Sequence, residues 1–268
     1  MYLEFYQLKE RPFDLTPNPR FLYLSKQHRE AINHLLYAIY QRKGFALLTG
    51  EVGAGKTTVC RLLLDQLDQK YATALILNPI LTGDQLIRAI ALEFGLDVIG
   101  RDRLESLDTL NRFLLDLAEH GRDAVLIIDE AQDLSDDLLE QVRLLSNLET
   151  NDRKLIQIVL MGQPELRDRL RAPKLRQIRQ RITVSYHLSS LGFTDTCRYI
   201  QHRLAVAGAR GVPYFTLPAM WRIYRHTGGI PRLINAVCDK ALLAGFVRRT
   251  VRVDWHLVGM AIRELKRL

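Results

Sequence analysis

The chain has 268 residues, of which 47% are hydrophobic and 25% are charged, and its formal net charge is +8. This composition is typical of a soluble globular protein, and no apolar run approaches the roughly 18 residues of a membrane-spanning helix. The N-terminus lacks the features of a signal peptide, the three cysteines are widely spaced, and the seven histidines show no metal-ligand spacing. We therefore expect a cytoplasmic protein without disulfides.

The positive charge is concentrated in the C-terminal third. From Leu191 onwards there are 13 Lys or Arg against 4 Asp or Glu, whereas the preceding part is close to neutral. Such a basic region suits nucleic acid, an anionic membrane surface or an acidic protein face. A solvated helical surface explains the same charge without any ligand.

The opening segment Phe5–Arg20 is rich in proline and aromatic residues, so we expect it to be extended and packed. Ser25–Tyr40 has helical periodicity and starts with a serine suited to an N-cap. Tyr23, just before this helix, and the turn Ser25–His28 at its start are candidates to wall a nucleotide base. Alternatively, they simply cover a sheet.

A glycine-rich loop follows the predicted strand Phe45–Thr49 and precedes a helical pattern that starts at Val59. Strand, loop and helix are the context that a phosphate-binding P-loop requires. The loop matches G-x-x-x-x-G-K-[ST] and consists of Gly50, Glu51, Val52, Gly53, Ala54, Gly55, Lys56, Thr57 and Thr58. Its glycines permit the backbone N–H groups to point at a phosphate, and the helix N-terminus adds its dipole.

The polar residues of the loop predict ATP and Mg²⁺ as ligands. Lys56 is expected to reach the β- and γ-phosphates, and the Thr57 hydroxyl to ligate Mg²⁺. Further on, the apolar strand Ala124–Ile128 ends in Asp129 and Glu130. In a P-loop protein Asp129 would hold the Mg²⁺ shell and Glu130 would orient and polarise the attacking water.

The remaining pattern alternates strands and helices up to about residue 190, which predicts a largely parallel sheet covered by helices on both faces. Gln163 closes the strand Leu155–Met161 and is a candidate to touch the γ-phosphate or the water. The segment Leu170–Arg181 is rich in arginine and precedes the last strand, Thr183–Leu188. We expect an α/β nucleotide-binding domain over residues 1–189 and a small all-helical domain over residues 190–268.

With these residues in place, the chain resembles the AAA+ ATPases, and within them the ExeA-like group, the general secretion pathway protein A family with its pilus-biogenesis relatives. The resemblance runs nearly end to end. It depends on five stretches: the opening with Pro12-Phe13, Thr16-Pro17 and Phe21–Leu24, the loop Gly50–Thr58, the segment Ile127–Gln132, the segment Val159–Leu166, and the segment Gly228–Asn235.

The resemblance implies a P-loop domain followed by a helical lid. It makes Arg232 the residue that senses the γ-phosphate, and Gln163 a first sensor where other members more often have Asn, Ser or Thr. An arginine finger is expected before the last strand, with Arg181 as the first choice, Arg179 as the second and Arg176 as the third. A finger acting in trans implies a ring or helical homo-oligomer.

For function, the resemblance implies a cytoplasmic ATPase that serves type II secretion or type IV pilus assembly. Its partner would be an inner-membrane protein, and the chain would be free in the cytoplasm or peripheral at that membrane. It would be either a short family member or the cytoplasmic part of a longer membrane protein. The alternative is a DNA-binding AAA+ regulator of the transposition or replication type, and a helicase is the third hypothesis.

Overall fold

The structure, a computed structural model, describes residues 2–14, 18–149 and 153–266. The described residues form two compact units. The helical unit comprises the described parts of Met1–Lys26, Glu51–Gly55 and Ser189–Leu268, and the sheet unit comprises those of Gln27–Gly50 and Lys56–Leu188.

The sheet unit is built on five parallel strands in the order β2-β3-β4-β1-β5. Their bounds are β1 Phe45–Gly50, β2 Tyr71–Ile76, β3 Asp123–Ile128, β4 Ile156–Gly162 and β5 Ile182–Leu188. Every residue of β1, β3 and β4 is buried. Because successive side chains point to opposite faces of a sheet, helices must cover both faces, as predicted.

The helices of the chain are α1 Tyr2–Phe5, α2 Lys26–Tyr40, α3 Lys56–Gln66, α4 Gly83–Glu93, α5 Arg103–Glu119, α6 Asp136–Leu145, α7 Pro164–Arg169, α8 Arg176–Arg181, α9 Phe193–Val206, α10 Leu217–Thr227, α11 Pro231–Val247 and α12 Trp255–Leu265. Local sequence explains several starts. Thr82 and Asp102 each form a capping box, with Gln85 at the start of α4 and with Glu105 at the start of α5.

The register of the sheet brings the functional strand ends to one edge. Ile128 of β3 pairs with Leu160 of β4, and Thr49 of β1 pairs with Gly162 of β4. The residues that directly follow β1 and β3 therefore lie at the carboxyl edge of the sheet, where parallel α/β sheets bind ligands.

The arginine-rich segment before β5 is not one continuous helix. Helix α7 ends at Arg169, a 3₁₀ turn covers Pro173–Leu175, and α8 follows. Ala172 has an extended backbone (φ −58°, ψ 143°) because a residue before proline is pushed out of the helical region.

The helical unit has its own apolar core, formed mainly by α9–α12 and the N-terminal segment. The prediction of helices alone after Ser189 was wrong in one detail. Strands β6 (Tyr214–Phe215) and β7 (Arg252–Val253) pair in parallel. Two-residue strands are too short to show an alternating pattern in the sequence, so periodicity could not reveal them.

The N-terminal segment packs within the helical unit, whereas the sequence assigned residues 1–189 to the nucleotide-binding domain. Tyr6 and Phe13 are buried in the helical core, and the Arg203 side chain of α9 donates a hydrogen bond to the Pro12 carbonyl. Of the segment predicted to be extended, Phe5 belongs to the end of helix α1, and Pro19 and Arg20 belong to a 3₁₀ turn over Pro19–Phe21. Thr16 and Pro17 of the resemblance lie outside the described residues. The domain border near residue 190 stays a prediction.

Candidate nucleotide-binding site

The P-loop joins the end of β1 to the start of α3. Gly53 and Gly55 adopt positive φ values of 79° and 105°. This left-handed backbone is unfavourable for residues with a Cβ, so the glycines are required by the course of the loop. Ala54 N–H donates to the Glu51 carbonyl at 3.1 Å, which closes a turn within the loop. Glu51 and Val52 are exposed and Thr58 is half-buried.

Gly50 is required for a different reason from the one that the sequence suggested. A Cβ at Gly50 would lie 2.8 Å from the backbone oxygen of Leu188, because the neighbouring strand β5 passes close to it. The Lys56 ammonium donates a hydrogen bond to the Gly50 carbonyl at 2.9 Å, and Lys56 is only 5% exposed. The lysine is thereby held across the start of the loop.

Thr57 and Asp129 meet at the carboxyl edge of the sheet. The Thr57 hydroxyl donates to Asp129 Oδ2 at 3.2 Å. Asp129 directly follows β3, is 3% exposed, and its backbone N–H donates to the Ile76 carbonyl of β2 at 2.8 Å. Burial raises the pKa of the Asp129 carboxyl, and the hydrogen bond from the Glu130 N–H partly opposes this shift.

A hydroxyl beside a buried carboxylate is a donor set suited to Mg²⁺, which takes few protein ligands and completes its shell with water and phosphate oxygens. The described residues contain no group of three or more His, Cys, Asp or Glu that could hold a metal on its own. A nucleoside triphosphate with Mg²⁺ would supply the phosphate oxygens and the positive charge. Thr57 and Asp129 would hold the ion, and Lys56 would hold the phosphates.

Glu130 follows Asp129 with a left-handed backbone (φ 49°, ψ 39°) and begins a 3₁₀ turn over Ala131–Asp133. Its backbone N–H donates to Asp129 Oδ1 at 2.9 Å. Its Oε2 accepts a hydrogen bond from Gln132 Nε2 at 2.8 Å. The two carboxylates are therefore adjacent in the chain but are held by different partners, which suits one to a cation and the other to a water molecule.

Gln163 lies at the carboxyl end of β4, where it precedes α7. Its backbone N–H donates to Gln132 Oε1 at 3.0 Å, while its side chain forms no hydrogen bond with the described residues. The structure thus links Gln163 to Glu130 through the Gln132 amide. Sequence reasoning gave Gln132 no role, although it stands inside the quoted segment Ile127–Gln132.

The three candidate finger arginines have different surroundings. The Arg181 guanidinium donates to Ser146 Oγ, to Asn147 Oδ1 and, at 3.3 Å, to the Arg143 carbonyl at the end of α6. Arg179 is exposed and donates to the Arg171 carbonyl at 3.1 Å. Arg176 is exposed, and its side chain forms no hydrogen bond or ion pair within the described residues.

Arg232 is an exposed residue in the first turn of α11. Within the helical unit it lies against the P-loop, since a Cβ added at Gly53 would come within 2.6 Å of the Arg232 Cβ. This contact is a second reason for glycine at position 53, beside its positive φ.

The two candidates for the base pocket have separate environments. The Tyr23 hydroxyl donates to Asp195 Oδ1 of α9 at 3.0 Å, and its ring packs edge-on against Tyr199 with centroids 6.0 Å apart. His28 is 4% exposed in α2. Their assignment to a base pocket stays a prediction.

Comparison with known proteins agrees with this geometry. Residues 39–170 match a family described as an AAA domain. General secretion pathway protein A of Aeromonas hydrophila is 47% identical over 266 residues, which cover 99% of this chain and 48% of that protein. Residues 39–170 therefore carry an AAA domain, and the whole chain is similar to general secretion pathway protein A, about half of whose length it spans.

Solved structures share the fold. The ADP form of the ORC2 protein of Aeropyrum pernix has a TM-score of 0.69 at 18% identity, covering 96% of this chain and 73% of that one. The Holliday junction branch migration motor RuvB of Thermotoga maritima has a TM-score of 0.59 at 17% identity, covering 90% of this chain and 70% of that one. At such identities the likeness concerns the fold alone.

In the described part of the chain, no helix combines the length and the apolar character needed to cross a membrane.

Proposed function

We propose that this AAA+ protein hydrolyses ATP at the site formed by Lys56, Thr57, Asp129 and Glu130. Lys56 binds the β- and γ-phosphates, Thr57 and Asp129 hold Mg²⁺, and Glu130 orients the attacking water. The main support is the 3.2 Å hydrogen bond between Thr57 and Asp129, because it brings the helix after the P-loop and the end of β3 to one point. These are the parts from which P-loop enzymes build a phosphoryl-transfer site.

Two substitutions separate binding from hydrolysis. Lys56→Ala removes the cation that faces the phosphates, so ATP affinity is expected to fall by at least 10-fold. Glu130→Gln keeps the size of the side chain and removes its negative charge, so ATP binding is kept while turnover falls by about 10²–10⁴-fold, the usual worth of a positioned acid or base.

The measurement is a nucleotide titration beside a phosphate-release assay for the wild type and both variants. Gln66→Ala is the control, because Gln66 is an exposed residue at the end of α3. If Glu130→Gln turned over ATP at the wild-type rate, the role of Glu130 would be refuted. If Lys56→Ala bound ATP normally, the loop would not be the nucleotide site.

The proposed working form is a homo-oligomer in which an arginine of one copy completes the site of the next. The exposure of Arg176 and the engagement of Arg181 by the end of α6 support Arg176 as the first candidate for this finger. Arg181 and Arg179 follow it. A finger of this kind contributes about 10³–10⁵-fold in rate.

For the cellular role, the likeness to general secretion pathway protein A of Aeromonas hydrophila motivates a link to secretion. We infer that the ATPase cycle drives or switches envelope machinery of the type II secretion or type IV pilus kind, in the cytoplasm at the inner membrane and together with an inner-membrane protein. Co-purification with membranes from a cell that carries such a system tests this role. The amount of protein recovered with the membranes should differ between the wild type and the Glu130 or Lys56 variants, which trap one nucleotide state.

A second candidate function, DNA binding, is favoured by one surface of the helical unit. Trp221 and Trp255 are 43% and 42% exposed on α10 and α12. Arg222 stacks on the Trp255 ring with its guanidinium carbon 4.5 Å from the ring centroid, and the exposed Arg225 and Arg263 lie on the same two helices. Arginine and aromatic rings together suit a polyanion with stacking bases.

This second function predicts duplex or single-stranded DNA binding whose affinity falls steeply with salt. Trp255→Ala with Arg222→Ala should weaken it at least 10-fold in a fluorescence-anisotropy titration. Arg112→Ala is the control, since Arg112 is an exposed arginine of the sheet unit. No binding by the wild type at 50–100 mM salt, a range in which phosphate contacts are strong, would reject DNA as a partner.

A further inference from the structure

Gln132 has a place in the site that the proposed function does not use. Its side-chain amide is engaged at both ends: Nε2 donates to Glu130 Oε2 at 2.8 Å, and Oε1 accepts from the Gln163 backbone N–H at 3.0 Å. The second bond fixes the orientation of the amide, because an oxygen must face the Gln163 N–H. The NH₂ group is therefore the end that faces Glu130.

The backbone around Gln132 is also held. Arg169 of α7 donates to the Gln132 carbonyl at 2.5 Å, to the Leu134 carbonyl at 2.8 Å and to Asp136 Oδ1 at 2.7 Å. One guanidinium thus holds the segment that runs from the 3₁₀ turn to the start of α6. The charge on this arginine makes these bonds stronger than neutral ones.

The tip of β4 is shaped to admit the Gln132 side chain. A Cβ added at Gly162 would lie 3.0 Å from Gln132 Oε1 and 2.8 Å from Leu166 Cδ2. Any side chain at position 162 would therefore press on the amide that reaches Gln163. Glycine at the end of β4 leaves the room that this contact needs.

These contacts hold the Glu130 carboxylate in one orientation. Its backbone is already in the left-handed region, which costs energy for a residue with a Cβ and persists only where the surroundings enforce it. Gln132 occupies Oε2, while Oε1 accepts no hydrogen bond from the described residues. One oxygen is tied to the protein and the other is left to orient a water molecule.

We propose that Gln132 is a positioning residue for hydrolysis: it orients the Glu130 carboxylate and ties that carboxylate to the main chain at the tip of β4. This role rests on the proposed ATPase function and deepens it. Because Gln132 acts through Glu130, its loss should lower the rate of the chemical step and leave nucleotide affinity almost unchanged.

The test compares Gln132→Ala with Gln132→Glu. The glutamate keeps the length of the side chain and an oxygen that can accept from the Gln163 N–H, but it replaces the donor that faces Glu130 with a second carboxylate. If Gln132 positions Glu130, both variants lose about 10–100-fold in kcat, the range typical of outer-shell partners, with ATP affinity within about 3-fold of the wild type.

A purely structural role makes a different prediction. If Gln132 only supports β4, Gln132→Glu would keep wild-type turnover because the contact to Gln163 survives, and this result would overturn the proposal. The positioning role also predicts that Gln132→Ala has no further effect in a Glu130→Gln background, whereas independent residues would show additive losses. Additivity would equally overturn it.

The wild type and Lys56→Ala are measured in the same series. Turnover that depends on Lys56 but is insensitive to both Gln132 variants refutes the role of Gln132 alone. Absence of Lys56-dependent turnover in the wild type refutes the proposed ATPase function and this role together. Gln66→Ala, a glutamine exposed at the end of α3, is the matched control for the substitution itself.

Discussion

At the scale of single residues, the buried Asp129 carboxylate lowers the stability of the folded protein at the position proposed to hold Mg²⁺. Burial raises the pKa of its carboxyl, so the protein without a bound cation carries an ionised group that its surroundings disfavour. Protonation of Asp129 therefore favours folding. That contribution is complete below the unfolded pKa of about 4 and is lost as pH rises through the higher folded pKa.

Asp129→Asn is expected to stabilise the nucleotide-free protein at pH 7 by about 0.5–2 kcal/mol, the range common for single stabilising substitutions. Asparagine has the same shape, cannot ionise, and can keep the bonds to Thr57 and to the Glu130 N–H. Urea unfolding at pH 4 and pH 7 measures the effect, which should be larger at pH 7. An equal or lower stability of the variant at pH 7 would contradict the burial argument.

The principal residues of the site were predictable because the P-loop motif specifies chemistry at fixed spacing. The sequence predicted Lys56, Thr57 and Asp129 as ligands of ATP and Mg²⁺; in the structure Lys56 contacts the Gly50 carbonyl and Thr57 contacts Asp129, while their ligand roles stay a prediction. The contact of Gln132 with Glu130 was not predictable. It depends on the left-handed backbone of Glu130 and on the position of the Gln163 N–H at the end of β4. Neither leaves a pattern in the sequence.

At the scale of elements, the end of α6 depends on an arginine from α8. The last carbonyls of a helix lack partners within the helix. Arg181 donates to the Arg143 carbonyl, Ser146 Oγ and Asn147 Oδ1, so it caps α6. The sequence could mark Arg181 as basic and close to β5, but it could not show which helix end the side chain reaches.

Arg181→Ala is therefore expected to cost about 1 kcal/mol of stability, as loss of a half-exposed, charged hydrogen-bonding group does. Arg176→Ala should leave the unfolding midpoint unchanged and lower turnover by about 10³-fold or more if Arg176 is the finger. Mixing the Arg176→Ala protein with Lys56→Ala subunits should restore activity. If mixing with Lys56→Ala subunits restored activity to the Arg181→Ala protein instead, and Arg181→Ala were as stable as the wild type, Arg181 would be the finger.

The N-terminal segment is an element of the helical unit. Tyr6 is fully buried, and its hydroxyl lies 2.9 Å from the Leu242 carbonyl and 3.2 Å from the Thr250 carbonyl. Burial raises the pKa of Tyr6 to about 12. The sequence indicated a packed segment from its aromatic residues and prolines, but composition does not tell which of two domains such a segment packs against.

Tyr6→Phe removes this hydroxyl and should lower the free energy of unfolding by about 1 kcal/mol, the net worth of a buried hydrogen bond. Urea unfolding followed by tryptophan fluorescence measures it, since Trp221 and Trp255 both belong to the helical unit. Tyr214→Phe is the control, because Tyr214 is 45% exposed. Equal stabilities for the two variants would mean that the segment contributes little to the unit.

At the scale of the whole molecule, the alternation of strands and helices was enough to predict the parallel sheet, since each long element carries its own periodicity. The order β2-β3-β4-β1-β5 was beyond sequence reasoning, because pairing between distant strands is set by packing and not by local pattern. The proposed assembly of copies is likewise a property that no single chain displays.

We propose that copies of this chain hydrolyse ATP at the Lys56–Glu130 site in an assembly. The most direct test is the ATPase rate per subunit against protein concentration, with and without duplex DNA at moderate salt, with Glu130→Gln as the inactive reference. We predict that the rate per subunit rises with concentration, ignores DNA and falls to background in Glu130→Gln. DNA stimulation that high salt abolishes would favour the DNA-binding regulator. A rate that is independent of concentration would refute the assembly, and a rate that persists in Glu130→Gln would refute hydrolysis at this site.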